Sequence, residues 1–467
     1  HLEDVIRFTG IRDLDEEFIA DYIAQPGLVS TRTVYRDISR LAAGSSLVSM
    51  GREEKEFRHP RISFQEMASW SGEDYDVRFL SLLDAAVKGC APESGNVWCE
   101  LSGGLDSSTV FSIAAKNDIQ GLGAFSILYE EYGEADEVRW IGTMLDMYPR
   151  PWHRLHGDHA LPYSEIPDQF CAEPGLYMAD WAGRRAYEDM ASRNGVRAVL
   201  TGQGGDLVFF GMGGQPYYLA DLAKRLKFRR LFHEMNKWRT HDRRRRSGLY
   251  WLTNYVMKPI IARSLEKPIV SAWHREPSPW LNGEYCRRMS MRERGQGRPA
   301  FEAPGIESSW FLEQLAVLCG HISAINQIPR AFEFRHPLLY RPLVEFMMSS
   351  SPDMRQRPDE DRVLQRRALS GILPDQIRLR KIKTIYDQPC YEGLRQGAQF
   401  VRLLTDNPRI AERGIVDYEP WIEAVKQARL GRTHFLPQFE AAATLEIWLR
   451  SLEKNPVISF DKGTNPL

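Results

Sequence analysis

No apolar run in this 467-residue chain approaches the roughly 20 residues that a membrane-spanning helix requires. Cysteine is scarce: the six present are dispersed and form no Cys-x-x-Cys pair, which fits reduced thiols in a cytoplasm and gives no sign of a catalytic cysteine pair. Neither sign of charge dominates. With 61 Lys and Arg against 62 Asp and Glu, the net charge is −1, and no global field draws the chain to nucleic acid or to a membrane. Internal repeats and low-complexity tracts are missing, as is the Gly-Lys-Ser/Thr of a Walker phosphate loop. The opening His1-Leu2-Glu3-Asp4 is too acidic and polar for a signal peptide, and the missing initiator Met fits a chain that starts partway into a longer protein. What remains is ordinary. A composition of 43% hydrophobic and 26% charged residues describes a soluble globular protein, and the length allows two or three domains.

Against that background one stretch stands out. Leu101-Ser102-Gly103-Gly104-Leu105-Asp106-Ser107-Ser108 lies between a strand-like run, Val97–Leu101, and a helix-like run, Ser107–Lys116. Gly103 and Gly104 permit positive φ and close backbone approach. Ser102, Ser107 and Ser108 supply hydroxyl groups, and the following helix presents free N–H groups and the positive end of its dipole to an anion. An acid, Asp106, among phosphate-binding groups makes sense if Mg2+ lies between them. The loop resembles the Ser-Gly-Gly-x-Asp-Ser signature of ATP pyrophosphatases, which cleave ATP between the α- and β-phosphates.

Strand-like and helix-like segments alternate from Val97 onward. Strands are expected at Val97–Leu101, Ala124–Tyr129, Trp152–Leu155 and Arg197–Thr201, and helices at Ser107–Lys116, Ala135–Tyr148 and Trp181–Arg193. This alternation predicts an α/β fold whose parallel sheet carries helices on both faces and binds its ligand beyond the carboxyl ends of the strands. A second glycine-acid motif, Thr201-Gly202-Gln203-Gly204-Gly205-Asp206, follows the fourth strand, and Asp206 is placed to supply a second carboxylate for Mg2+. Before the sheet, residues 1–70 hold one helix-like piece (Asp15–Ile23), a hairpin-like piece (Ser46–Met50 and Lys55–His59) and a connector that includes Pro60 and Ser69–Asp74. A helix follows over Tyr75–Lys88. From about Phe210 the chain reads as mostly helical and aromatic, with a strongly basic stretch over Lys224–Arg246 that is a solvated helix face or a docking surface for an acidic partner.

With both motifs placed, the chain resembles the asparagine synthetase family, in particular its synthetase domain. Four more segments carry the resemblance: Phe125-Ser126-Ile127 on the second strand; Glu333-x-Arg335-x-Pro337-Leu338-Leu339; Lys381-Ile382-Lys383-Thr384-Ile385-Tyr386; and residues 28–59, which are similar to the tail of the family's glutaminase-like N-terminal domain. The resemblance implies an ATP-pyrophosphatase-type parallel sheet, a mostly helical C-terminal part, and before them the remnant of an Ntn-type glutaminase-like domain. Domains are expected at 1–70 and 71–467, the latter split into a nucleotide-binding core at about 90–215 and a helical substrate region at about 216–467. It further implies ATP and Mg2+ as cofactors. Ser102, Gly103, Gly104, Asp106 and Ser107 would hold the β- and γ-phosphates. Leu101, Ile127, Thr201 and Gly202 would line the AMP portion, Ser126 and Gly204 would be further ATP-binding residues, and Asp106 and Asp206 would ligate the metal. Lys383 would reach the α-phosphate and the developing acyl charge, with Lys381 as the alternative in a register shifted by two residues.

The departures narrow the function. Gln203, the second candidate catalytic position, stands where the resemblance implies Glu in asparagine synthetases and Tyr in β-lactam synthetases, and its neutral amide cannot act as a general base. Leu207 and Tyr340 replace two further acids. The pattern is most similar to the lasso peptide cyclase branch, the macrolactam synthetases. That likeness implies adenylation of an Asp or Glu side chain in a leader-free precursor peptide, ring closure by the peptide's own N-terminal amine, a leader peptidase as partner, and no nucleic acid or membrane. Asparagine synthetase and β-lactam-synthetase-like enzymes are the alternatives, followed by tRNA-modifying or sulfur-transferring ATP pyrophosphatases and a binding-only scaffold. A further candidate, His153-x-x-His156-x-Asp158-His159, is read as structural or exposed rather than as a metal site.

Overall fold

The computed structural model describes the chain apart from residues 1, 28–30, 52, 60–61, 63, 65–69, 133–136, 212–214, 243, 266–276, 293, 295–302, 327–329, 382–386, 434–435 and 455–467. Pro60, Ser69, Ala135 and the Lys383 segment therefore lie outside the described residues.

The N-terminal part contributes helices α1 (Leu2–Thr9) and α2 (Glu16–Ala24) and a hairpin of β1 (Ser45–Met50) and β2 (Glu53–Arg58). Asp15 caps α2 by accepting from the backbone N–H groups of Glu17 and Phe18. Helix α3 spans Gly72–Cys90 and starts earlier than the apolar pattern shows. Ser71 and Asp74 form a reciprocal capping box, so residues 72–74, expected in the connector, are the first turn of the helix.

The central sheet follows: β3 (Asn96–Glu100), β4 (Leu122–Leu128), β5 (Trp152–His156), β6 (Val196–Leu200) and β7 (Glu333–Arg335). Its order is β5-β4-β3-β6-β7, with every neighbouring pair parallel. The four expected strands are present within a residue or two of their predicted ends. The fifth is three residues of the Glu-x-Arg segment, too short to show any period. The crossovers carry α4 (Leu105–Lys116), α5 (Val138–Met147) and α6 (Trp181–Arg193). Strand order reverses between β3 and β6, the topological switch point where open α/β sheets bind ligands. Both glycine-acid motifs leave the sheet from these two strands.

One face of the sheet is buried under α3, α4 and later helices through Phe79, Leu83, Phe111 and Phe209. The other face packs Trp98, Phe125 and Tyr187 against α6. A second large core gathers Ile19 and Ile23 of α2 with Trp421 and with Phe439 and Trp448 of the helix Leu436–Lys454. There the Tyr22 hydroxyl lies 2.7 Å from that of Thr444. Among the described residues no helix is long and apolar enough to cross a membrane.

Candidate active site

The loop after β3 is shaped by what its glycines avoid. Gly103 has φ +67°, and a Cβ there would lie 2.2 Å from that of Trp140. Gly104 precedes α4 without any side-chain cap, so the first N–H groups of α4 are left for an anion. The hydroxyls of Ser102 and Ser107 are 3.0 Å apart, and the Ser107 hydroxyl also accepts from the Ser102 N–H at 3.3 Å. The second motif closes on the first. Gly205 backs directly onto Asp106, where any Cβ would fall 2.2 Å from the carboxyl carbon. Gly205 therefore brings the start of the short helix α7 (Gly205–Val208) against the acid of the first loop.

The expected nucleotide residues divide into two groups. Leu101, Ser102, Gly104, Asp106, Ser107, Ser126, Ile127, Gly202, Gln203, Gly204 and Asp206 line one cavity of about 880 Å3, within the size range of small-molecule sites. Gly103 and Thr201 serve its walls. Gly103 accepts a hydrogen bond from Arg380 Nη1 at 3.3 Å. Thr201 is buried, with its hydroxyl 2.7 Å from His336 Nδ1 and accepting from the Gln203 N–H at 3.3 Å. Burial pushes the His336 imidazole down to about 4, so the ring is neutral. Ser126 is also a strut: it donates to the Leu101 carbonyl at 2.6 Å and accepts from Trp152 Nε1 at 3.0 Å. Glu333 and Arg335 pair with each other, and Arg335 Nη1 reaches the Cys90 carbonyl at the end of α3. Tyr340 is partly exposed and Leu207 buried. Lys381 is exposed, lines the cavity and donates to the Asp359 carbonyl at 3.5 Å.

Several polar residues of the site escaped sequence reasoning. Arg362 pairs with both acids, through Nη1 to Asp106 at 2.9 Å and through Nη2 to Asp206. Gln365, fully buried, donates to Asp106 at 3.1 Å. Arg380 lies over the Trp140 ring at 4.6 Å and 3.8 Å from buried Glu137. Arg366 pairs with Asp361 at 2.9 Å and also donates to the Arg380 carbonyl. No glycine or motif flags these positions.

The donor set suits a magnesium nucleotide. Mg2+ takes hard oxygen ligands and is commonly held by one or two carboxylates together with substrate phosphates. Asp106 and Asp206 come from separate strand ends and converge on one guanidinium, that of Arg362. The sequence model of the family described as Asparagine synthase matches residues 78–450, most of the chain.

The chain belongs to the asparagine synthase family.

It is similar to "Asparagine synthetase [glutamine-hydrolyzing] 3" of Bacillus subtilis (strain 168), with 24% identity over 304 residues, which cover 60% of this chain and 43% of the relative. The match thus spans less than half of that relative's length. As an asparagine synthase family member the chain keeps the Ser-Gly-Gly-x-Asp-Ser loop intact and holds Gln203 exposed at the cavity. The His153 segment is accounted for structurally. His153 packs on Trp98 at 4.7 Å, Asp158 accepts from the Glu130 and Glu131 N–H groups, and among the described residues no cluster of three metal-ligating side chains occurs.

Glu100, the last residue of β3, also lines the cavity, and burial pushes its carboxyl up to about 7 from an ordinary 4.5. Between those values the folded chain keeps a proton that the unfolded chain releases, so this residue's contribution to stability falls as pH rises through that window. Glu100→Gln is expected to match the wild-type melting temperature near pH 5 and to exceed it near pH 8, by at most about 3 kcal/mol in stability. Melting curves at the two pH values check this, and an equal difference at both counts against it.

Proposed function

We propose that this chain forms an amide bond by activating a carboxylate with ATP. The carboxylate oxygen attacks the α-phosphate, a phosphoanhydride bond breaks, and pyrophosphate leaves with the charge of that bond. An amine then attacks the acyl carbon of the adenylate, AMP leaves, and the departing AMP phosphate takes the proton that the amine loses. A carboxylate needs this activation because its direct leaving group would be oxide. Asp106 and Asp206 would hold Mg2+, which when bound neutralises charge on the departing pyrophosphate. The Ser102–Ser107 loop and the start of α4 would receive the phosphates, Ile127 and Gly202 the AMP portion, and Lys383 the α-phosphate and acyl oxygen.

The finer reading is closure of the macrolactam of a lasso peptide, between the N-terminal amine of a leader-free precursor and an Asp or Glu side chain. One observation carries it. Besides the charged strand-end loops, the cavity lining includes uncharged groups (Gln314, Val317, Leu318, Pro162, Pro389) and His321, whose burial keeps the imidazole neutral. Such groups suit an uncharged stretch of peptide better than the ammonium and carboxylate of a free amino acid. Gln203 in the same lining offers an amide to a peptide backbone. Holding both ends of one peptide together would contribute roughly 7–11 kcal/mol as effective molarity. In this reading residues 1–70 descend from a glutaminase-like domain, and a leader peptidase delivers the substrate.

The test is incubation with Mg-ATP and linear peptides that carry a free amine and an acidic residue one ring length away. Pyrophosphate release that depends on the peptide, with a product lighter by one water, is the expected result. Efficient asparagine formation from aspartate and ammonia, without peptide turnover, would overturn the macrolactam reading in favour of an asparagine synthetase.

A further inference from the structure

Arg362 combines three features that rarely coincide. Its backbone has φ +55°, a left-handed conformation that a non-glycine residue adopts at a cost. It is nearly fully buried, at 8% exposure. Its guanidinium lies between two carboxylates that come from different strands, Asp106 after β3 and Asp206 after β6. The surroundings are built around this placement. At Gly211 a Cβ would fall 2.0 Å from Arg362 Nε, so a side chain there would evict the guanidinium. Gln365, one turn on in the helix Val363–Ala368, donates to the same Asp106 oxygen, Oδ1, that accepts from Arg362. Asp361 adds a third negative charge nearby.

A divalent cation shared by Asp106 and Asp206 would lie about 2.0–2.1 Å from an oxygen of each. The guanidinium already spans the gap between those carboxylates. A metal that takes the same two Oδ1 atoms competes with the guanidinium for them.

We propose that Arg362 is a tethered stand-in for magnesium: it ties Asp106 and Asp206 to one cationic group and gives way only to a metal that arrives with a nucleoside triphosphate. The inference rests on the nucleotide reading of these two acids. A bare ion must displace a cation that is covalently attached and bound at both acids, and the displaced guanidinium stays buried with Asp361, itself paired with Arg366, as its remaining negative neighbour. A metal triphosphate brings its own anion. The guanidinium turns from the carboxylates to phosphate oxygens, for which its planar fork is well suited, and stays paired throughout. Metal and nucleotide then bind with reciprocal coupling, each raising the affinity for the other. Arg362 is on this account a positioning residue for the two acids in the empty site and a phosphate ligand in the filled one.

The experiment titrates Mn2+ as a spectroscopic probe into the full chain, with and without an α,β-methylene triphosphate analogue of ATP. In the wild type, Mn2+ alone is expected to bind at least about tenfold more weakly than Mn2+ with the analogue. In Arg362→Gln, Mn2+ alone binds at least about tenfold more tightly than to the wild type, and the coupling to the analogue collapses. Arg362→Lys retains part of the coupling. The melting temperature supplies a second readout: Mg2+ alone raises it in Arg362→Gln and leaves it unchanged in the wild type. Equal Mn2+ affinity in the wild type with and without the analogue overturns the proposal without recourse to any variant, as does a variant that binds bare Mn2+ no better than the wild type. Failure of Mn2+ to bind under every condition overturns the nucleotide reading as well. Missing pyrophosphate release with the expected metal titration sinks only the proposed reaction.

Discussion

Asp106→Asn and Asp206→Asn are each expected to lower pyrophosphate release about 1,000-fold or more. Asparagine keeps the shape and removes the charge, so the change isolates what the carboxylates do for the metal and the leaving phosphates. The two substitutions differ in structural cost. Asp106 is the more enclosed, with Gly205 against its carboxyl carbon and Arg362 and Gln365 on one oxygen. Asp206 is more open, with a side chain 40% exposed, and pairs with Arg362. Asp106→Asn should therefore also lower the melting temperature, whereas Asp206→Asn should leave it nearly intact. Pyrophosphate release measured beside melting curves checks both parts. Near-normal turnover in either variant would show that the acids do not serve the nucleotide.

Lys383→Ala is the second large effect. A cation at the α-phosphate meets charge that develops only in the transition state, and its loss is expected to cost about 1,000-fold in turnover with little change in nucleotide affinity. Lys381→Ala should fall within about tenfold of the wild type, because Lys381 is exposed and directs its ammonium to the carbonyl of Asp359. Arg380 fixes the chain just before both, through the Gly103 carbonyl, Trp140 and Glu137. Single-turnover and binding measurements on the two variants decide the register, and the reverse ranking would assign the role to Lys381.

The part of this molecule that glycine and period announce was legible beforehand. Gly103, Gly204 and Gly205 stand where a Cβ would push a neighbouring residue aside, and their spacing around Asp106 and Asp206 survives as a string of letters. Three of the four longer strands were legible as mostly apolar runs bounded by turns, and β5, with two apolar residues in five, from its place in the strand–helix alternation. Arg362 was not, since nothing in Asp359-Glu360-Asp361-Arg362 distinguishes a left-handed buried arginine from a solvated charge cluster. Glu333–Arg335 became a strand by pairing with β6, a tertiary fact. The start of α3 was misplaced because Ser71 and Asp74 cap through hydrogen bonds that hydrophobic periodicity ignores. For Asp15–Ile23 the helix was readable and its partner was not.

That partner has a consequence for synthesis. Tyr22 meets Thr444 across 422 residues of sequence, and Ile19 and Ile23 share their core with Trp448. A ribosome extends the chain at roughly 5–20 residues per second. The apolar side of α2 therefore waits some tens of seconds for its cover, far longer than a helix or hairpin takes to form. Truncation before the helix Leu436–Lys454 would leave that side permanently bare, and such products should be found with chaperones or in aggregates rather than as a shorter working enzyme.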